Sequence, residues 1–328
     1  MVEALSDDWS SYWAHPTGPA GGAHSCLTSE GPAAVLTDYW QSVFQPKPRR
    51  LTSVRLLDIA CGAGVVAAQA MAAFEGGSGP NVELHCTDYA HDAVKLAATG
   101  RDRTGIFGTT ADARQLPYRD HIFELVVSQF GLEYAGPEGF REAARLLAPD
   151  GELHVVIHRR DGAIYRDCLA NLDILREFER VGLLTLSRLT LKLAEIHDQG
   201  RSVSTALERL TRSVHRARRV MENRISTCAA GMARSHVERL LQDIPMLLAR
   251  RAAYGPGVAV GWIDAQQAEL RAFAKRMAAM LAAAMDDEQI RVTANLLRGV
   301  GLTAVSVGHL RAGRAALPIG WTLSARAA

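Results

Sequence analysis

The chain has 328 residues, of which 48% are hydrophobic and 22% charged, with a formal net charge of +2. That balance excludes a disordered polyelectrolyte and a protein whose whole surface is a basic mould for nucleic acid. Five scattered cysteines without a C-x-x-C pair suggest neither a disulfide framework nor a zinc site, so no metal is expected and the cytoplasm is the expected compartment.

Residues 1–30 hold Trp9, Tyr12, Trp13, His15 and the breaker pair Gly21-Gly22, and read as an arm, with Tyr12 and His15 placed to close over a site. No apolar leader is visible beside Glu3, Asp7 and Asp8, and the apolar run that comes nearest to a span, 59–74, contains a glycine loop, so no membrane span is expected. A helix is expected from Pro32 to Phe44, and a first strand begins at Val54. Strands and helices then alternate to about residue 158, which implies a mainly parallel sheet. A second strand ends at Asp88, an acid at Asp112 stands where a third should end, and a fifth covers Glu152 to His158.

From about 162 to 286 only helical periodicity is visible. Val203, Leu207, Leu210, Val214, Ala217 and Met221 form one narrow seam, with Arg209, Arg212, Arg216, Arg218 and Arg219 around it. Leu270, Phe273, Met277, Leu281 and Ala284 form another, and a third, Val237 to Leu248, holds Pro245, which should kink or end its helix. A helix from Glu288 to Arg298 and two strands, Thr303 to Leu310 and Ile319 to Ser324, close the chain. The expected organisation is an arm (1–30), a core built from 31–161 and 287–328, and a helical insertion (162–286) that caps an acceptor or forms a dimer surface.

The chemistry concentrates in Leu56-Leu57-Asp58-Ile59-Ala60-Cys61-Gly62-Ala63-Gly64, a buried strand that runs through an acid into a glycine loop and a helix. Such a turn cradles a nucleotide cofactor, because glycine allows close backbone approach and the helix offers unpaired N–H groups. Gly62 to Ala67 formally fits the dinucleotide fingerprint, but Asp58 would face a pyrophosphate with like charge. An acid there suits an ammonium, Asp88 suits ribose hydroxyls, and Asp112 suits the adenine amine. Together they describe S-adenosylmethionine better than a dinucleotide.

On these residues, on Leu116 to Tyr134 and on Glu142 to Leu153, the chain resembles a class I S-adenosylmethionine-dependent methyltransferase of the small-molecule type. Ala60, Glu124 and Asp150 depart from the family's commoner glycine, aspartate and glycine. The resemblance implies a Rossmann-like α/β fold: a mainly parallel seven-stranded sheet with helices on both faces and the helical insertion between strands 5 and 6. It also implies a cofactor site of Asp58, Ala60, Cys61, Gly62, Gly64, Asp88, Tyr89, Asp112, Ala113, Gln129 and Phe130, with S-adenosylhomocysteine as product.

Methyl transfer is an in-line displacement that needs alignment first. His158, at the end of the fifth strand, and Tyr134, near the expected methyl path, are the candidate catalytic residues, and His154, deeper in the sheet, reads as structural. The expected partner is a small acceptor methylated at oxygen, nitrogen or carbon, with no nucleic acid, no membrane and a homodimer through the insertion. Two other readings stay open: an RNA or protein methyltransferase docking through the arginine-rich helices, and a non-catalytic scaffold that keeps the cofactor fold.

Overall fold

The computed structural model describes residues 9, 12–13, 30–45, 53–74, 81–99, 106–255, 257–313 and 316–328. The chain divides into two units, one formed by residues 1–166 and 280–328, the other by residues 167–279.

The first unit is built on a seven-stranded sheet in the order β3-β2-β1-β4-β5-β7-β6. Its strands are β1 (Ser53–Ile59), β2 (Asn81–Asp88), β3 (Ile106–Thr110), β4 (Phe123–Gln129), β5 (Leu147–His158), β6 (Thr303–Arg311) and β7 (Pro318–Arg326). The first five pair in parallel, and β7 joins β5 and β6 antiparallel. The expected mainly parallel seven-stranded sheet is what forms.

Period-2 alternation sends neighbouring β1 side chains to opposite faces. Leu56 packs with Leu84, Leu125, Trp40 and Phe44, bringing in α1 (Glu30–Phe44) and α2 (Val65–Phe74). Leu57 and Ile59 pack on the other face with Val126, Val155, Phe140 and Ile290, bringing in α4 (Gly136–Leu146) and α10 (Asp287–Gly299). Leu56, Leu57 and Ile59 are fully buried, each worth roughly 1.5–3 kcal/mol of hydrophobic stabilisation. The helix between β2 and β3 is α3 (His91–Thr99).

The strand bounds differ from expectation at two places that matter. Gln129, which the sequence places just after the fourth strand, is the last residue of β4. β5 begins at Leu147, five residues before Glu152, with Asp150 at φ +59° in the position where the family commonly has glycine. α10 opens with a capping box: the Asp286 carboxylate accepts the Gln289 N–H and the Gln289 side chain accepts the Asp286 N–H, each at 2.9 Å.

The second unit is helical among its described residues. It contains α6 (Leu183–Asp198), α7 (Ser204–Ser226), α8 (Met232–Ala249) and most of α5 (Ala163–Val181) and α9 (Val258–Ala283). Its core takes Phe178, Leu191, Val214, Met221, Leu240, Ile244, Ile263 and Phe273. Pro245 does not end α8, which continues to Ala249. The missing N–H costs one helical bond, but Leu241 and Ile244 lie buried on the packed face while Pro245 sits at its half-exposed edge. No helix among the described residues is long and apolar enough to cross a membrane.

The β1 and β4 ends meet closely. A Cβ on Gly131 would fall 2.4 Å from the Ala60 Cβ, and Ala60 itself sits at φ +55°. Gly131→Ala should therefore cost about 1–3 kcal/mol through overpacking. In the double variant Ala60→Gly, Gly131→Ala, urea unfolding should recover part of that loss, because the clashing methyl and its left-handed strain both disappear. Strictly additive single effects would contradict this contact.

Candidate functional site

The strand order reverses between β1 and β4, and ligands of open parallel sheets bind beyond the carboxyl ends of the strands at such a point. Asp58 lies at the end of β1, Asp88 ends β2, Gln129 ends β4 and His158 ends β5. The sheet thus brings these expected site residues to one edge. Asp112 lies two residues past β3.

Between β1 and α2 the backbone turns at Ala60, Gly62 and Gly64, at φ +55°, +52° and +74°. Gly64 is needed twice over, because a Cβ there would meet the Ala97 Cβ at 2.9 Å and its Cα at 3.0 Å. The loop is tied to β2: the Cys61 N–H donates to the Thr87 carbonyl, and the Gly62 N–H donates to an Asp88 carboxylate oxygen, each at 2.9 Å. The other Asp88 oxygen accepts the Ala90 N–H at 2.9 Å. Desolvation raises the Asp88 pKa, opposed by the N–H groups of Ala90, Gly62 and Tyr89. Tyr89 beside it is exposed, and Cys61 is buried, with its thiol pKa pushed up.

Asp58 is only 1% exposed, and neither carboxylate oxygen has a hydrogen-bond partner of normal geometry among the described residues. Burial pushes its pKa up to about 8, the negative charge of Asp88 adds to the shift, and the Ala67 amide opposes it. A buried polar group left unmatched is costly, so this position fits a cationic ligand group.

Asp112 is held differently from Asp58. Its carboxylate is already held by Arg114, whose Nε lies 3.0 Å from one oxygen and 3.1 Å from the other, with the Arg114 backbone N–H at 2.9 Å. These bonds lower its pKa, and an adenine amine would have to share that carboxylate with the guanidinium. Ala113 is half-buried against the core below it.

On the other side of β1, the Gln129 side chain accepts the Trp40 indole N–H at 2.6 Å. Phe130 follows at φ +55° and lies against the His158 ring, with centroids 4.4 Å apart. His158 is buried; its Nδ1 is 2.7 Å and its backbone nitrogen 2.9 Å from the same oxygen of Glu133. Tyr134 meets the His158 ring edge-on at 6.1 Å. His154 pairs with Glu152 at 3.2 Å, deeper along the strand.

Of the arm, Trp9, Tyr12 and Trp13 are described, and His15 lies outside the described residues. Tyr12 is buried between Trp9 and Trp13, Trp9 meets Tyr134 edge-on at 5.9 Å, and a Cβ on Gly62 would fall 2.8 Å from the Trp13 ring. Sequence reasoning missed three residues here: Trp40, Arg114 and Glu133. Only Glu133 left a signal, an acid set between Leu132 and Tyr134 in a largely apolar stretch.

Residues 56–151 match the family described as methyltransferase domain. A malonyl-[acyl-carrier protein] O-methyltransferase from Geobacter sulfurreducens is 34% identical over 100 residues, 30% of this chain and 36% of that protein. The chain thus spans little more than a third of that relative's length. Among solved structures, a phosphoethanolamine N-methyltransferase from Haemonchus contortus, in complex with phosphoethanolamine and S-adenosylhomocysteine, is 18% identical with a TM-score of 0.37, over 48% of this chain and 33% of that one. A SAM-dependent methyltransferase from Aquifex aeolicus is 14% identical with a TM-score of 0.33, over 46% and 73% of the two chains. Structural likeness this slight carries no weight for function.

The buried acid has a consequence for stability. In the unfolded chain Asp58 ionises near 3.8, whereas the folded protein holds its proton to about 8. Between those values folding takes up a proton, so the group's contribution to stability falls as pH rises from about 4 to about 8. Asp58→Asn should flatten this fall in thermal unfolding of the ligand-free protein and leave it more stable than wild type at the alkaline end. Parallel pH profiles for the two proteins would refute the burial of an uncompensated acid.

Proposed function

Residues 56–151 are a methyltransferase domain, and from that premise we propose that the chain transfers a methyl group from S-adenosylmethionine to a small acceptor. The observation that carries this reading is the buried Asp58 carboxylate, without a hydrogen-bond partner of normal geometry among the described residues, beside the Gly62–Gly64 turn and with Asp88 at the end of the adjacent strand. S-adenosylmethionine, when bound, supplies an electrophilic methyl on a sulfonium. Asp58 would receive its ammonium, and the N-terminus of α2 behind the glycine turn its carboxylate. Asp88 would accept from the ribose hydroxyls on the lone pairs left by Gly62 and Ala90. Tyr89 and Ala113 would border the adenine, with Asp112 reading its amine alongside Arg114. Gln129, held by Trp40, and Phe130 would line the approach to the methyl group, with His158 and Tyr134 on the acceptor side.

A small acceptor is supported by the absence, after β4, of the Asn-Pro-Pro-Tyr or Pro-Cys motifs suited to nucleic-acid bases. The Geobacter relative's name adds an O-methyltransferase to that support. A second reading rests on α7, where Arg209, Arg212, Arg216 and Arg219 are exposed opposite buried Val214, Ala217 and Met221. An RNA or acidic protein acceptor could dock on that face, and binding that falls steeply with added salt would favour it.

Calorimetry with S-adenosylhomocysteine tests the main reading. Near pH 7 binding should release protons, seen as heat that varies with the ionisation enthalpy of the buffer, because the ligand ammonium forces Asp58 to ionise. Asp58→Asn should abolish that release. Asp88→Ala should weaken affinity about tenfold or more, since charge-assisted hydrogen bonds contribute on the order of 1.5–3 kcal/mol. Binding of a nicotinamide dinucleotide with no response to S-adenosylhomocysteine would overturn the proposal.

A further inference from the structure

Glu133 and His158 form a buried pair with side-chain exposures of 0% and 5%. One oxygen of Glu133 faces both the backbone nitrogen of His158, at 2.9 Å, and its ring Nδ1, at 2.7 Å. An ionised carboxylate only accepts hydrogen bonds, so the ring proton of a neutral imidazole must sit on Nδ1 and the lone pair on Nε2. Among the described residues no hydrogen bond engages Nε2. The ring cannot turn freely, because Phe130 lies against its face at 4.4 Å and Tyr134 meets it edge-on at 6.1 Å. Among the described residues, the titratable groups facing it are Glu133 and Tyr134. Gly320 is its register partner on β7, Gln129 ends the strand on the other side, and the Met285 N–H caps its carbonyl.

We propose that Glu133 positions His158 as the Nδ1–H tautomer, so that Nε2 takes the proton of an acceptor hydroxyl, making alcohols and phenols, rather than carboxylic acids, the substrate class. This deepens the methyltransferase reading and rests on it. An alcohol or phenol is protonated at neutral pH and a poor nucleophile, so a base within reach lowers its barrier. A carboxylate is already ionised, gains nothing from such a base, and would meet the acids of this edge as like charges. In the step, the acceptor oxygen gives its proton to Nε2 and gains the methyl carbon. The carbon–sulfur bond breaks with its electron pair kept by sulfur, leaving S-adenosylhomocysteine. The imidazolium so formed carries its charge next to Glu133, which compensates it at this buried position.

The test begins with the full chain carrying 15N-labelled histidine, with the His158 signals identified by their absence in His158→Gln. Long-range 15N–1H spectra should show the Nδ1–H tautomer in wild type. In Glu133→Gln the tautomer populations should mix, with Glu133→Asp restoring part of the Nδ1–H signal. Unchanged affinity for S-adenosylhomocysteine shows that each variant is folded. A matched panel of phenols, alcohols and carboxylic acids is then incubated with methyl-labelled S-adenosylmethionine. Methylation of hydroxyl acceptors, slowed tenfold or more in Glu133→Gln with an unchanged KM for S-adenosylmethionine, is the expected result. Turnover of the carboxylic acids alone, or an E133Q histidine spectrum indistinguishable from wild type, overturns the proposal. Failure of wild type to bind S-adenosylhomocysteine overturns the methyltransferase reading instead.

Discussion

An interior strand of the sheet, β1, carries near its end a carboxylate, Asp58, with no hydrogen-bond partner of normal geometry among the described residues. β1 is paired on both sides and covered on both faces, so Asp58 cannot turn to solvent as an acid on an edge strand could. Burial holds it towards the neutral form, at a cost that a cationic ligand group would relieve. The glycine turn, the carboxylate at the end of β2 and the opening of α2 are arranged around this one position. A sheet of parallel strands makes the arrangement natural, because every strand reaches the same edge with its carboxyl end.

The neighbouring acids are handled differently, and the contrast separates their roles. Asp88 is spent partly on the architecture, since its two oxygens brace the Gly62 and Ala90 amides and join the glycine turn to β2. Asp112 is neutralised by Arg114 two residues away. Glu133 is buried with a histidine, which gives it a donor at close range. Four carboxylates lie at or just beyond this edge of the sheet, and each meets its charge in another way. Only Asp58 has no hydrogen-bond partner of normal geometry on either oxygen among the described residues.

The proposed acceptor side is held by backbone strain and aromatic contact. Phe130 takes φ +55°, a region that non-glycine residues enter at a cost, and its N–H is anchored to the Val156 carbonyl at 2.7 Å. That turn lays its ring on His158, while Trp40 fixes Gln129 from α1. Strain of this kind persists where surrounding contacts over-determine it, here the close approach of Gly131 to Ala60 and the paired end of β5.

Local pattern alone determined a good deal. Alternating apolar residues and short strand–turn–helix runs defined the parallel sheet, the glycine turn and the long helical stretch before β6, because periods of 2 and 3.6 are written into neighbouring residues. Asp58, Asp88 and His158 were legible as strand ends for the same reason. The partner of each was not. Trp40 lies 89 positions from Gln129, and Glu133 lies 25 from His158. Arg114 stands two residues from Asp112, yet whether its side chain turns back or reaches outward depends on the loop around it. Pro245 likewise reads as a break, and only packing on the buried side of α8 lets the helix run through it. Which acid is satisfied and which is left bare is a question of distance between segments remote in sequence, and only the folded sheet, by bringing those segments to one edge, answers it.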